Sequence, residues 1–293
     1  MATMPAASLP KSCAIPPALY RGTLFAIDDW VCHGHDTPRG HDEWCGEDRV
    51  VVTRRGVWEL EVAGQAQRCD PTAVTFWRRE SPYRVRHPIG GCDHCTVFRL
   101  TAIGSNGLAD HGGRMLGERA PRIRSRGIDG PTHLLHRQAL VAARSHGDPL
   151  AIEEAGTTFL HRVSEGRALA IPRGAQPVVD RAIDFIAAEF RRPITVARIA
   201  HAAAASPFHL SRLFRRVVGT TLYRHVIALR LREALERVAD ADGSERLATL
   251  ALDLGFASHS HFADAFRAEY GCPPSEVRLQ GRRTRRAPRA PRA

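Results

Sequence analysis

The sequence has almost no lysine: Lys11 is the only one, so arginines make up the rest of its 42 basic residues. It also has no apolar run of the roughly 18 to 20 residues that cross a bilayer. The N-terminal stretch MATMPAASLPKSCAIPP lacks the basic start and apolar core of a secretory signal. We therefore expect a soluble, cytoplasmic protein without a membrane partner.

Motifs that mark several enzyme classes are missing as well. The sequence has no glycine-rich phosphate loop leading into a helix, no nucleophile elbow and no H-E-x-x-H zinc motif. Its 7 cysteines are an odd number, and a chain without an export signal is not expected to build a disulfide framework. These absences predict a protein that is not an enzyme and that requires no cofactor.

The positive charge is concentrated in two segments. The chain of 293 residues carries a formal net charge of +11, which suggests a polyanionic partner. Residues 190–232 contain nine arginines and no acidic residue, and residues 280–293 add six arginines. Residues 233–277 have three arginines against nine acidic residues, a net charge of −6. The length and the 43% hydrophobic content predict two domains with buried cores.

Short apolar runs of strand length fill residues 24–100. The runs VVV, VWELEV, AVTFW and CTVFRL are separated by turn-forming residues, a pattern typical of an antiparallel barrel or sandwich. Residues 101–130 are rich in glycine and arginine and are predicted to form a loop. A helical pattern follows over residues 132–165, and the Gly- and Pro-containing stretch 165–177 is a plausible linker.

The remaining chain is helical in pattern and contains an internal repeat. The segment SPFHLSRLFRRVVG (206–219) aligns without gaps with SHSHFADAFRAEYG (258–271). Upstream, RIA at 198–200 matches TLA at 249–251, with one extra residue in the second turn. Each copy predicts a short helix, a turn and a second helix, the helix-turn-helix arrangement whose second helix can enter the major groove. The predicted helices and their caps are Val178–Phe190, a Thr195-capped helix to His201, a Ser206-capped helix from Pro207 to Gly219, and Leu222–Ala239.

These residues resemble the DNA-binding domain of the AraC/XylS family of bacterial transcription regulators. The resemblance covers residues 178–279 and is most specific in LALDLGFASHSHFADAFRAEYGCPPSEVR, where the pattern G-F-x-S-x-S-x-F-x-x-x-F-R runs on to a final P-x-x-x-R. It implies an α+β protein, in which a cupin-like β-barrel or sandwich precedes two helix-turn-helix units joined by a long helix. It further implies that both recognition helices insert into adjacent major-groove segments.

The resemblance also implies which side chains contact DNA. In the first unit Phe208, Ser211 and Arg212 are expected to face bases, and Arg212 can pair bidentately with guanine. Arg215 and Arg216 are expected to contact phosphate. In the second unit the expected DNA-facing residues are His259, Ser260, His261, Ala263, Asp264 and Arg267.

The second unit differs from the family pattern in one position. Asp264 places a negative charge where many relatives have a basic or neutral residue. Together with the net charge of −6, this predicts that the first unit anchors binding and the second contributes weakly. His259 and His261 are two residues apart on a predicted helix and point about 200° away from each other, so they cannot share a metal ion. We interpret them as the start of the second recognition helix.

The N-terminal half offers a separate set of candidate metal ligands. Cys92 and Cys95 form a single C-x2-C pair, His87 lies nearby, and Cys32 and Cys45 lie upstream with His33, His35 and His41. Thiolates and imidazoles bind zinc, so a metal sensor or a thiol redox sensor is one hypothesis. Buried thiols without a ligand, and a metal-dependent cupin enzyme fused to DNA-binding helices, are the alternatives.

These observations predict four segments. Residues 1–130 form a cupin-like effector-sensing domain, 131–176 a helical dimerisation segment and linker, and 177–279 the DNA-binding domain. The arginine-rich tail, 280–293, is predicted to be disordered, and either adds salt-sensitive DNA affinity or only improves solubility. The expected partners are double-stranded DNA, a second copy of the chain, a small-molecule effector and RNA polymerase.

Overall fold

Antiparallel strands build the N-terminal half, as the short apolar runs predict. The computed structural model describes residues 17–32, 43–62, 64–90, 92–112, 123–166, 168–169, 176–240 and 245–286. Its strands are β1 Tyr20–Arg21, β2 Phe25–Cys32, β3 Glu43–Trp44, β4 Arg49–Arg55, β5 Trp58–Val62, β6 Gln65–Cys69, β7 Ala73–Trp77, β8 Pro82–Arg86, β9 Asp93–Leu100, β10 Ile123–Gly127 and β11 Ala168–Leu169. One sheet has the order β1-β2-β9-β4-β7-β10-β11, and the other has the order β3-β8-β5-β6.

The larger sheet is covered on both faces, because its side chains alternate between two cores. On β4, Val50 and Val52 join Phe98 and Phe159 in the core that lies against the helices. Val51, between them, joins the core shared with the smaller sheet. Successive side chains of a strand point to opposite faces, so the VVV run supplies both cores. The predicted barrel or sandwich is therefore a two-sheet arrangement with helices on its outer face.

Three helices follow in the next part of the chain, and one of them corrects a prediction. They are α1 Ala102–Gly112, α2 Gly130–Arg144 and α3 Pro149–Glu165. The helical pattern over 132–165 is confirmed as α2 and α3. The loop predicted over 101–130 is wrong in part, because α1 and β10 lie within it. β10 is held by its ladder with β7, and Gly104 lets α1 approach the Leu24 carbonyl more closely than a side chain would permit.

From Pro177 onward, all regular elements in the described ranges are helices, and their predicted caps are confirmed. Ser206 and Ser258 each accept a hydrogen bond from a backbone N–H in the first turn, and Gly219 and Gly271 end the same helices with positive φ. Thr195 caps its helix in the same way. The helices are α4 Pro177–Glu189, α5 Val196–Ala202, α6 Pro207–Val218, α7 Leu222–Asp240, α8 Leu247–Asp253, α9 His259–Tyr270 and α10 Pro274–Arg286.

Two separate hydrophobic cores organise these helices. One contains Ile186, Leu210 and Phe214 and is built from α4, α5, α6 and the start of α7. The other contains Phe262 and Phe266 and is built from the end of α7 with α8, α9 and α10. Each core thus belongs to one helix-turn-helix unit, and α7 contributes to both. The chain has the α+β architecture with two such units that the sequence predicts.

The end of the chain differs from the predicted disordered tail. Helix α10 continues to Arg286, so residues 280–286 extend a folded helix. Arginine and glutamine are good helix formers, and the first proline that could stop the helix is Pro288. The remaining residues, 287–293, lie outside the described part. In the described residues, no helix is both long enough and apolar enough to cross a membrane.

Candidate nucleic-acid interface

The first turns of α6 form an exposed surface. Phe208 is 90% exposed, although a phenylalanine of an ordinary helix packs into a core. Ser211, Arg212, Arg215 and Arg216 are exposed on the same helix. Its opposite side carries Leu210 and Phe214, both fully buried. The residues predicted to contact DNA in this unit therefore all lie on the solvent side of α6.

Helix α9 repeats this arrangement with different side chains. The exposed residues of its predicted site are His259, Ser260, His261, Asp264 and Arg267, and Ala263 is half-buried. His259 is the first residue of the helix, after the Ser258 cap. The His261 ring stands edge-on to Phe256 at 5.5 Å between ring centroids. Both histidines thus begin the helix, as we interpreted them, and a regular helix turns them to different sides.

Both units use the same turn between their two helices. In the first unit the Ala204 N–H donates to the His201 carbonyl and the Ala205 N–H to Ala200, at 3.0 Å each. In the second unit Gly255 donates to Leu252 and Phe256 donates to Ala251, at 2.9 Å each. This pair of bonds is the Schellman motif, which needs a residue of positive φ. The motif sets the angle between α5 and α6 in the first unit and between α8 and α9 in the second.

A single arginine fastens the two units to each other. The Arg230 guanidinium, on α7, donates to the carbonyls of Phe190 at 2.7 Å and Arg192 at 3.0 Å beside the first unit. It also donates to the Gly255 carbonyl at 2.6 Å in the turn of the second unit. Burial lowers the pKa of this guanidinium below its ordinary value. Arg230 therefore spans both units and fixes the orientation of α9 relative to α4.

Comparisons with known proteins match the same part of the chain. Residues 199–280 match a family model described as a helix-turn-helix domain. The "XylDLEGF operon transcriptional activator 1" of Pseudomonas putida is 33% identical over 102 residues, which are 34% of this chain and 31% of that protein. The melibiose operon regulatory protein of Escherichia coli K12 is 26% identical over 157 residues, 54% of this chain and 47% of its own length. The C-terminal part of this chain is an AraC/XylS-type helix-turn-helix domain.

Solved structures are also similar to the chain. An AraC-type transcriptional regulator from Chromobacterium violaceum is 28% identical, with a TM-score of 0.34 over 36% of this chain and 93% of that one. ToxT from Vibrio cholerae is 11% identical, with a TM-score of 0.36 over 88% of this chain and 99% of its own. The chain spans between about a third and a half of the length of the curated relatives named above.

The AraC-type domain uses many of its arginines internally. Of the nine between residues 190 and 232, five bind other parts of the protein: Arg191, Arg192, Arg198, Arg230 and Arg232. The other four are exposed and form no ion pair within the described ranges: Arg212, Arg215, Arg216 and Arg224. Three of these four lie on α6. The count of nine therefore overstates the number of exposed arginines that form no ion pair in the described residues.

The acidic charge of the second unit is largely neutralised. Six of the nine acidic residues between 233 and 277 form ion pairs with arginine: Glu233, Glu236, Asp240, Glu245, Asp253 and Glu269. Asp264 is exposed on α9 and has no arginine partner in the described residues. The net charge of −6 is thus a poor guide to the field at α9, where Asp264 supplies the local negative charge.

The AraC-type domain is tied to the N-terminal half through the long helix α7. Glu236, 1% exposed, binds Arg54 of β4 at 3.0 Å and Arg137 of α2 at 3.1 Å. The Asp29 carboxylate on β2 pairs with the same Arg54. Near the start of α7, His225 lies 3.1 Å from the buried Asp70 carboxylate. Burial raises the pKa of Asp70, but the attraction of His225 and the Thr72 hydrogen bonds outweigh burial and bring the pKa below its ordinary value.

The candidate metal ligands of the N-terminal half are only partly brought together. Cys32 and His87 meet, and they are joined by Asp93, which the sequence did not single out. Cys95 is buried beside this group and donates to the second Asp93 oxygen at 3.4 Å, whereas the buried Cys45 donates to the Glu47 carbonyl. Cys92 is exposed. The predicted partners His33, His35 and His41 lie outside the described residues.

The geometry of this cluster follows from strand pairing. Cys32 ends β2 and is the direct cross-strand partner of Asp93, which begins β9. His87 follows β8, and its Nε2 lies 2.6 Å from Asp93 Oδ1. Hydrogen bonds to Asp93 and then to Cys32 raise the pKa of His87 to about 10. Of the C-x2-C pair, Cys95 lies beside this cluster on β9, and Cys92 is exposed.

Proposed function

We propose that the chain is a sequence-specific DNA-binding transcription regulator. In this proposal α6 and α9 are the recognition helices and enter adjacent major-groove segments of double-stranded DNA. The observation that carries it is the pair of exposed helix starts, fixed to each other by Arg230 and the shared helix α7. Helix-turn-helix proteins contact base edges with the first turns of the second helix, and those turns are the exposed ones here.

Within this proposal the exposed side chains have different roles. Arg212 forms a bidentate contact with guanine, assisted by Phe208 and Ser211 at neighbouring bases. Arg215 and Arg216 contact phosphates, which position the domain without reading sequence. In the second unit the DNA-facing residues are His259, Ser260, His261, Ala263, Asp264 and Arg267. Because Asp264 repels phosphate, we propose that α6 supplies most of the affinity.

Substitution of Arg212 by alanine tests the assignment of the base contact. Loss of a bidentate guanine contact is expected to cost about 1–3 kcal/mol of specific affinity and to relax specificity at one base pair. Arg215→Ala is expected to weaken binding to all sequences. It should also lower the magnitude of the slope of log K against log salt by about 1, which corresponds to the loss of one phosphate contact. Gel-shift titrations on a selected operator and on unrelated DNA measure both effects.

The control for charge is Arg79→Ala, which removes an exposed arginine of the N-terminal half. Arg79 pairs with Glu80 at 3.9 Å, and both side chains are mostly exposed. This variant should bind the operator as the original chain does. If Arg212→Ala also binds as tightly and as specifically as the original chain, α6 is not the main recognition helix.

The N-terminal half is proposed to control the DNA-binding domain. Residues 1–130 would sense a signal, 131–176 would contribute to a homodimer, and 177–279 would bind DNA and contact RNA polymerase. A cleft of about 380 Å³ lies between the halves and is lined by Ile128, Arg162, Gly219, Arg224 and His225 among others. A small molecule bound there would touch both halves, so this cleft is our candidate effector site. We propose regulation, not catalysis, as the activity, and the cytoplasm as its place.

A further inference from the structure

We propose that Cys32, His87 and Asp93 form a binding site for a thiophilic divalent metal ion, of which Zn²⁺ is the best match. One ligand atom from each residue lies within 4.8 Å of the others. A thiolate, an imidazole and a carboxylate are the donors that zinc takes in proteins, whereas Mg²⁺ and Ca²⁺ prefer oxygen alone. This site is independent of the proposed DNA contact.

The distances between the three ligand atoms are close to those found around a coordinated metal ion. Zinc bonds of about 2.0–2.3 Å in a tetrahedral arrangement place neighbouring ligand atoms roughly 3.3–3.8 Å apart. His87 Nε2 and Asp93 Oδ1 are 2.6 Å apart, and the widest separation in the cluster is at most 4.8 Å. Side-chain rotations that move these atoms by about 1 Å would therefore reach coordination distances. The strands need not move, because Cys32 and Asp93 are already cross-strand partners.

Burial and charge favour a cation at this position. Cys32 is 6% exposed and Asp93 is 5% exposed, and both carry negative charge when deprotonated. Two buried anionic groups side by side are costly unless a positive charge lies between them. A divalent ion, which replaces the proton of His87 on binding, supplies that charge and binds both groups directly. Three protein ligands leave a fourth tetrahedral position, which is typical of sites that exchange a ligand and not of closed structural sites.

Cys95 is suited to position the carboxylate without binding the ion. Its Sγ donates to Asp93 Oδ2 at 3.4 Å, on the side away from His87, which binds Oδ1. Cys95 is 4% exposed and belongs to the core shared by the two sheets. Partners of this kind orient metal ligands, and losing one typically weakens affinity tenfold or more. Cys95→Ala should therefore weaken the site without removing its spectral signature.

Cobalt substitution in the full chain tests the site. The protein, purified without an affinity tag and stripped with a chelator, is titrated with Co²⁺ and then with Zn²⁺. We expect one Co²⁺ per chain, a sulfur-to-cobalt charge-transfer band and the intense visible bands of tetrahedral cobalt, all removed by Zn²⁺. Cys32→Ala should abolish the charge-transfer band, and His87→Ala and Asp93→Ala should each weaken Co²⁺ binding at least tenfold. The matched single-thiol controls Cys92→Ala and Cys272→Ala should leave it unchanged.

A second measurement avoids variants that fail to fold. In the unsubstituted chain, bound Zn²⁺ should slow alkylation of Cys32 at least tenfold and leave exposed Cys92 unaffected, as mapped by mass spectrometry. The proposal is overturned by a cobalt spectrum without a thiolate band, by a band that survives Cys32→Ala, or by a band lost in Cys92→Ala. Fast alkylation of Cys32 that ignores Zn²⁺ would also overturn it and indicate a reactive thiol paired with His87.

Discussion

At the scale of single residues, two histidines of α2 are placed where a charge is unfavourable. His133 and His136 are completely buried, with stacked rings 5.5 Å apart, and their ring nitrogens have no hydrogen-bond partner in the described part of the chain. Burial lowers the pKa of both imidazoles well below their ordinary value. Nearby arginines lower it further: Arg232, Arg137 and Arg54 for His133, and Arg137, Arg54 and Arg144 for His136. Both histidines are therefore neutral in the folded protein.

This placement predicts a loss of stability in mild acid. Below the ordinary histidine pKa of about 6.5, the unfolded chain binds protons that the folded chain does not. The free energy of unfolding should therefore fall as pH decreases below about 6.5, by up to about 1.4 kcal/mol per pH unit for each histidine. Urea unfolding at several pH values measures the slope, and His133→Leu/His136→Leu should flatten it. Exposed His161→Leu is the control, and an equal slope in the double variant would contradict the prediction.

Single residues also differ in whether their role can be predicted from the sequence. The caps Ser206 and Ser258 were predictable because a cap bonds to backbone three residues away. The pairing of Arg54 with Glu236 was not, since 182 residues separate them and neither has a local pattern. The position of Asp93 beside Cys32 could not be predicted for the same reason, because it depends on which strand pairs with β2.

At the scale of elements, the two Schellman turns make a matched pair of predictions. Ala204 has φ 53° and Gly255 has φ 80°, both in the left-handed region. A left-handed conformation costs a non-glycine residue about 1–2 kcal/mol, so Ala204→Gly should be neutral or stabilising. Gly255→Ala should destabilise by at least that amount, because a Cβ there would lie 2.7 Å from the Arg191 carbonyl oxygen. Thermal unfolding of both variants measures the two changes in stability. A Gly255→Ala variant that is more stable than the original chain would contradict the prediction.

Helices and strands could be predicted where residues close together in the sequence determine them. The helices of both repeats follow from apolar spacing and caps, and the structure confirms them within one or two residues. Strand β10 could not be predicted, because IRSRG has no apolar alternation and its ladder partner β7 lies about 50 residues earlier. Helix α10 was underestimated for a related reason: arginine clusters suggest disorder by composition although arginine itself favours helix.

At the scale of the whole molecule, buried ion pairs hold the N-terminal half against α7. Glu236→Gln should destabilise the protein by about 3 kcal/mol, since it leaves Arg54 and Arg137 buried with fewer compensating charges. The exposed control Glu80→Gln should cost less than about 1 kcal/mol. Urea unfolding measures both values. Equal stability of the two variants would show that this contact does not hold the halves together.

In the proposed function, α6 and α9 bind adjacent major-groove segments of one DNA site. Hydroxyl-radical and methylation-protection footprinting of the full chain on its selected operator tests it most directly. We predict two protected major-groove segments whose centres lie about 10–10.5 base pairs apart on one face of the duplex. Arg212→Ala should lose the guanine protection in one segment and keep the other. A single protected segment would contradict the proposed contact by both helices. So would a footprint that neither Arg212→Ala nor Asp264→Ala changes.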